Sequence, residues 1–210
     1  MKPAGLILAG GKGRRMGGAT PKPLVELQGR PLIAHVIERL DGSVEPLWIA
    51  APPISGYERF ELTIRPDMRP GFLGPLAGIE AGLTALEGSA HTDRLLVTPS
   101  DTPFIPRNIA SLLDAAYSNR PVIARHGGHL QPAVGLWPVA ALPDLRQMLD
   151  AGGRLAIRDL LASIGHETVD IPSEPDAPDQ NPVFNVNTPT DLETAESHLA
   201  GKSRSDARNS

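Results

Sequence analysis

Gly5-Leu6-Ile7-Leu8-Ala9 is a short run with no polar side chain, and a glycine-rich basic loop begins where it stops. Such a run, too short for a helix and bounded by glycine, suits a strand buried on both faces of a parallel sheet. The loop that follows contains Gly10, Gly11, Gly13, Gly17 and Gly18, whose missing side chains let a backbone approach a ligand closely. Lys12, Arg14, Arg15 and Lys22 set four positive charges around those amides, and the ligand this implies is a polyphosphate. Pro21 and Pro23 flank Lys22, and a residue before proline is pushed toward extended geometry, so the lysine is expected to be aimed rather than free. Without a ligand, the same stretch reads as a glycine-rich surface turn with solvated charges.

Two known phosphate signatures fail. A P-loop needs Ser or Thr after Gly-Lys, but Gly13 follows Lys12, and Leu6 stands where its first glycine should be. The dinucleotide fingerprint fits Gly11 and Gly13 and then meets Met16, and Ala50, Ala51, Pro52 and Pro53 close the second strand without an acidic residue. The loop instead resembles the nucleotidyltransferase signature L-x-G-G-x-x-x-R-M with a later lysine.

Downstream, strand, loop and helix alternate three times before residue 120. Leu47–Ala51, Leu62–Arg65 and Arg94–Thr98 read as strands. Helices are expected from Pro31 to Leu40, through Leu76, Ile79, Leu83 and Leu86, and from Pro106 through Ile109, Leu113 and Tyr117. This pattern predicts an α/β domain with a mostly parallel sheet and helices on both faces. Gly74, Gly78 and Gly82 recur every fourth residue, which weakens a helix, so a backbone or a ligand should come close to that side. Pro121–Arg125 and Leu130–Trp137 around His126-Gly127-Gly128-His129 predict a small antiparallel excursion, with Gln131, Pro132 and Trp137 near whatever it covers. Helices through Leu142, Leu145 and Leu149 and through Ile157, Leu160 and Leu161 follow, then a strand at Glu167–Ile171. The stretch 172–182 lacks apolar periodicity and is expected to be mobile. Thr188, Pro189 and Asp191 form a capping-box-like start to a last helix. The expected domain covers residues 1–200, with 201–210 a disordered tail.

Composition removes several function classes. A formal charge of -4 argues against a general nucleic-acid binder, and the absence of cysteine removes disulfides and thiolate chemistry. The six histidines are scattered. No apolar stretch approaches the roughly 20 residues a membrane helix needs, and no signal peptide opens the chain, so a cytoplasmic protein is expected, without membrane or nucleic-acid partners.

Ligands of open α/β sheets lie beyond the carboxyl ends of the strands, where Asp67 and Asp101 stand. A polyphosphate calls for a hard cation, commonly Mg²⁺ on one or two carboxylates, and Asp101 is the first candidate ligand. Either aspartate could instead close an Asx-turn. Asn185 and Asn187 share one side if extended and could bind a second phosphate or a heterocycle, or could serve as turn and cap residues.

GPLAG (Gly74–Gly78), PSDTPFIP (Pro99–Pro106), QPAVGLWP (Gln131–Pro138) and FNVNTP (Phe184–Pro189), in this order after LAGGKGRRM, resemble the molybdenum cofactor guanylyltransferases, the MobA family. The resemblance runs from about residue 5 to 199. It implies a Rossmann-like three-layer fold and transfer of GMP from GTP to molybdopterin with release of pyrophosphate. Carried over by motif, Leu8, Ala9, Gly10, Gly11, Lys22 and Asp67 would contact GTP, Asp101 would hold Mg²⁺, and Asn185 and Asn187 would lie toward the pterin. Arg15, Lys22 and Asp101 are then the catalytic candidates. The family commonly has Asp-Lys-Gly where this chain has Pro21-Lys22-Pro23, a form seen in sugar nucleotidyltransferases. The expected state is a monomer with transient contacts to other cofactor-biosynthesis proteins or apoenzymes. Rival readings are a related transferase using CTP or a sugar phosphate, and a catalytically silent nucleotide-binding module.

Overall fold

Alternating side chains of the first strand set the layering. In β1 (Ala4–Leu8) every residue up to Ile7 is buried. Leu6 packs with Trp48, Leu95 and Val97 on one side, while Ile7 packs with Ile49 and Leu96 on the other. A strand whose two faces are both apolar needs helices on both, and the chain supplies them.

The computed structural model describes residues 1–10, 20–53, 56–71, 73–152 and 156–206. A 3₁₀ turn at Lys22–Leu24 leads into a minute antiparallel pair, β2 (Glu26–Leu27) and β3 (Arg30–Pro31), and then α1 (Leu32–Leu40). Next come β4 (Leu47–Ala50), β5 (Thr63–Arg65), α2 (Pro75–Thr84), β6 (Arg94–Pro99) and α3 (Ile109–Asp114). The second half contributes β7 (Val122–His126), β8 (His129–Pro138), α4 (Leu142–Ala151), α5 (Ile157–Ile164), β9 (Glu167–Asp170) and α6 (Pro189–Asp206). The central sheet runs β5-β4-β1-β6-β8-β7-β9, parallel except where β8 meets β6 and β7. Helices α1 and α3 cover one face through Ile33, Val36, Ile109 and Leu113. Helices α2, α4 and α5 cover the other through Leu76, Ile79, Leu83, Leu145 and Leu160. A third, smaller cluster joins Leu27, Leu32, Phe104, Ala177, Val186 and Ala195 beneath α6. Among the described residues, no helix is long and apolar enough to cross a membrane.

The antiparallel excursion is present, with β8 joining the central sheet and Gly127 and Gly128, at φ 55° and 78°, making its two-residue turn. Three expectations need adjustment. Trp137, expected near a ligand, is fully buried under α4 beside Leu95, at the opposite end of β8 from Gln131. The stretch 172–182 is fastened down. Glu174 and Gln180 share a backbone hydrogen bond of 2.9 Å, Ala177 is fully buried, and Arg39 reaches Glu174 at 3.4 Å. These contacts are backbone and ionic, so no apolar period announces them. Helix α6 continues to Asp206, into the segment expected as a tail.

The glycine side of α2 is pressed against the sheet. A methyl group added at Gly82 would stand 2.6 Å from Leu95 Cδ2 and 3.0 Å from Leu6 Cδ2, and one at Gly78 would stand 3.0 Å from Leu8 Cδ2. Leu6 and Leu95 are fully buried and cannot swing into solvent. Gly82→Ala is therefore expected to destabilise the fold although alanine is the better helix former: overpacking costs about 1–3 kcal/mol, against a propensity gain of about 1 kcal/mol. Urea unfolding should show a lowered midpoint, and a raised one would mean that the helix stands off the sheet.

Candidate active site at the strand carboxyl ends

The carboxyl ends of β4, β1 and β6 are locked in line by Ala9 N–H donating to Ala50 O at 2.9 Å and Ser100 N–H donating to Leu8 O at 3.1 Å. Between β1 and β6 opens a cleft of about 200 Å³, lined among the described residues by Leu8, Ala9, Gly10, Lys22, Pro23, Pro99, Ser100 and Asp101. A larger cavity of about 670 Å³, near Lys2, Glu45, Trp48 and His91, lies at the amino ends of the strands, where open α/β sheets do not bind ligands.

Lys22 enters the cleft from the 3₁₀ turn. The prolines do fix it, but not in the extended geometry expected: Leu24 N–H donates to Pro21 O at 2.8 Å and Val25 N–H to Lys22 O at 3.1 Å, which folds the Pro-Lys-Pro stretch into a turn. The ammonium donates to Asp101 Oδ2 and, at 2.6 Å, to Asn187 Oδ1. Both charged side chains are largely shielded, 15% and 19% exposed. One cation thus joins residues 79 and 165 positions away.

Asp101 does not close an Asx-turn. Oδ2 takes the lysine, and Oδ1 is buried without a hydrogen-bond partner among the described residues. The turn is made instead by the Thr102 hydroxyl donating to Pro99 O at 3.0 Å, which leaves the carboxylate free for other work. Asp101 O also accepts from Val186 N–H at 3.0 Å, carrying the 183–188 segment onto the end of β6.

The two asparagines separate. Asn187 joins Lys22, whereas Asn185 Nδ2 donates to Val183 O at 3.1 Å. Neither side chain caps α6. That is done reciprocally, by Asp191 N–H donating to Thr188 Oγ1 at 3.2 Å and Asp191 Oδ2 accepting from the Thr188 and Asn187 amides at 2.8 and 2.9 Å.

Asp67 lies on the same edge, two residues past β5, and is not among the residues lining the cleft. Although solvent reaches the residue, the protein packed around its carboxyl pushes the pKa up, and the charge of Glu80 adds to the effect. Gly11 and Arg15 lie outside the described residues. Sequence reasoning missed Ser100, which sat beside the more conspicuous Asp101, and Tyr57, whose hydroxyl donates to Ala9 O at 3.3 Å. Tyr57 is 2% exposed and burial pushes its pKa up to about 12, so it is a neutral donor that steadies the loop entrance. Gln131 and Pro132, expected near whatever the excursion covers, do approach this edge: continuing the antiparallel register of β8 with β6 carries residues 132 and 131 to the level of Ser100 and Asp101.

Comparison with known proteins converges on one family. Residues 5–169 match the MobA-like NTP transferase domain. Molybdenum cofactor guanylyltransferases from Bradyrhizobium sp. (strain ORS 278) and Cereibacter sphaeroides are 40% and 41% identical over 205 and 200 residues, spanning 95% of this chain and 94% and 98% of theirs. Among solved structures, molybdopterin-guanine dinucleotide biosynthesis protein A from Archaeoglobus fulgidus superposes with a TM-score of 0.72 at 25% identity, covering 96% of this chain and 100% of that one. A nucleotidyl transferase from Methanothermobacter thermautotroptrophicus shares the fold, with a TM-score of 0.72 at 16% identity over 96% and 99% of the two chains. A nucleotidyltransferase fold with its charged cluster at the strand ends, and close relatives aligned over nearly its whole length, place this chain in the MobA family of molybdenum cofactor guanylyltransferases.

Proposed function

We propose that the protein transfers GMP from GTP to molybdopterin, forming the guanine dinucleotide of the cofactor and releasing pyrophosphate. The observation that carries this reading is the sharing of Lys22 between Asp101 and Asn187 at the ends of β1 and β6, in a chain about 40% identical to molybdenum cofactor guanylyltransferases. A terminal phosphate oxygen of molybdopterin attacks the α-phosphorus of GTP in line, the bond to the bridging oxygen breaks, and pyrophosphate leaves with that electron pair. An ionised phosphate is already a nucleophile, so the protein needs no strong base and contributes positioning and charge.

Lys22 keeps Asn187 as the acceptor that positions it, turns its other N–H groups to phosphate oxygens and stabilises charge on the reacting and leaving groups. Gly10, Gly11 and Arg15 keep the phosphate role their motif implies, and Leu8 and Ala9 form the floor beneath. Asp101 fits a divalent cation, because its buried Oδ1 has no partner among the described residues. No group of three His, Cys, Asp or Glu that could hold a metal exists among those residues, so phosphate oxygens and water would complete the shell, as Mg²⁺ prefers. When bound, Mg²⁺ would neutralise polyphosphate charge. Asp67 serves the nucleoside end and Asn185 the pterin side, while Asn187 bridges toward the phosphates through Lys22. The protein works as a cytoplasmic monomer meeting other cofactor-biosynthesis proteins or apoenzymes transiently.

Incubating the enzyme and molybdopterin with each of the four nucleoside triphosphates, then weighing the product, tests the reading. A cytidine product would move the chain to another transferase class, and no product would favour a silent nucleotide binder.

Asp101→Asn keeps the volume and removes the charge, so it should fold normally and lose turnover by roughly a hundredfold or more, the scale of one lost electrostatic stabiliser. Pyrophosphate release with near-native kcat and unchanged Mg²⁺ dependence would exclude the ligand role. Lys22→Ala should fall as far.

Asn187→Ala should weaken GTP binding by roughly ten- to a hundredfold, since it removes a hydrogen bond to a charged group. Asn185→Ala should leave GTP affinity intact and raise the KM for molybdopterin. Calorimetric GTP titration of both variants checks the division, and equal losses would merge the two pockets into one.

A further inference from the structure

Glu80 is a carboxylate only 3% exposed, in the middle of α2. Burial of such a charge is costly unless it is paired and hydrogen-bonded. Arg69 pairs it with a two-pronged fork, Nε donating to Oε2 at 2.8 Å and Nη2 to Oε1 at 2.8 Å. The third prong, Nη1, donates to Asp150 Oδ1 of α4 at 2.5 Å.

Arg69 belongs to the loop 66–71 that leaves β5, and among the described residues no backbone–backbone hydrogen bond holds that loop. Its side chain is therefore the loop's anchor, two residues from Asp67. Arg69 is not the sole link between α2 and α4, because Arg146 of α4 bonds Thr84 and Glu87 at 3.1 and 2.8 Å and also brings its Nε to 3.9 Å from Glu80 Oε1. The parallel register sets Arg65 level with Ala50, and Ala50 level with Leu8. Two strand spacings, about 10 Å, thus separate the loop's origin from the phosphate cleft, roughly the distance from the phosphates of a nucleotide to its base.

We propose that Arg69 and Glu80 are positioning residues whose fork holds the 66–71 loop so that Asp67 meets the nucleoside end of the bound triphosphate. This rests on the nucleotidyltransferase reading and deepens it: the fork sets nucleotide affinity without touching the reacting phosphorus.

The test is a thermodynamic cycle read by calorimetric titration of the full chain with the nucleoside triphosphate that the wild type binds best of the four. Arg69→Leu with Glu80→Leu replaces the ion pair by apolar side chains, and should melt cooperatively while binding about tenfold more weakly with kcat within about twofold. Asp67→Ala should lose about the same, and the triple variant no more than either, since both changes remove one contact. Wild-type affinity in the Leu pair, or an additive loss near a hundredfold in the triple variant, would overturn the proposal. Should the Leu pair fail to melt cooperatively, Arg69→Lys, which keeps the charge and loses the fork, carries the same expectations. The two readings fail separately. A wild type that prefers a base other than guanine changes the substrate assignment, whereas the cycle reports on the fork with whichever triphosphate is used.

Discussion

An ammonium group with two acceptors ties three remote stretches of this chain into one place. Lys22 sits on a turn just after the glycine-rich stretch, Asp101 follows β6, and Asn187 precedes α6. Each is fixed by its own local device: prolines and a 3₁₀ turn, the Thr102 hydroxyl turn, and the reciprocal cap of Thr188 and Asp191. The lysine brings together backbones that are each already set, so little conformational freedom remains to be lost when a ligand binds. Preorganisation of this kind is what phosphoryl chemistry asks of a protein, because the reacting groups carry their own nucleophile and leaving group.

The sheet makes that convergence possible. Because β1, β4, β5 and β6 run parallel, the loops after them leave one edge, and residues distant in sequence share it. Close approach of α2 depends on Gly78 and Gly82, which lets Leu76, Ile79 and Leu83 reach the sheet and sets the entry of the GPLAG motif at the same edge. The packing of one helix thus governs where the loop before it ends.

Legibility from sequence followed the physics of each element. The strands and helices of the first half were readable because the central strands are runs of apolar residues and the helices repeat apolar residues at helical spacing soon after a proline. Lys22 and Asp101 were readable as candidates because proline and glycine mark the loops at strand ends. The meeting of Asn187 with Lys22 was not, since nothing in a linear chain states which loop tips touch. The 172–182 stretch was misread because backbone bonds and the Arg39–Glu174 pair leave no periodic trace. Glu80 escaped notice for the opposite reason: on α2 it looks like a solvated helix residue, and only the fold shows it buried beneath Arg69.

Asn187 is attached to the smallest of the three apolar clusters. Leu27, Leu32, Phe104, Ala177, Val186 and Ala195 form a unit under α6 that is separate from the two clusters sandwiching the sheet. Segments open locally with free energies well below that of global unfolding when few buried apolar contacts hold them. Lifting of α6 would carry away the cap, the Val186 bond to Asp101 and the amide on Lys22 together, with the seven-stranded sheet still intact. Loss of the site on heating would then come before loss of the sheet, with the last helix acting as its thermal fuse.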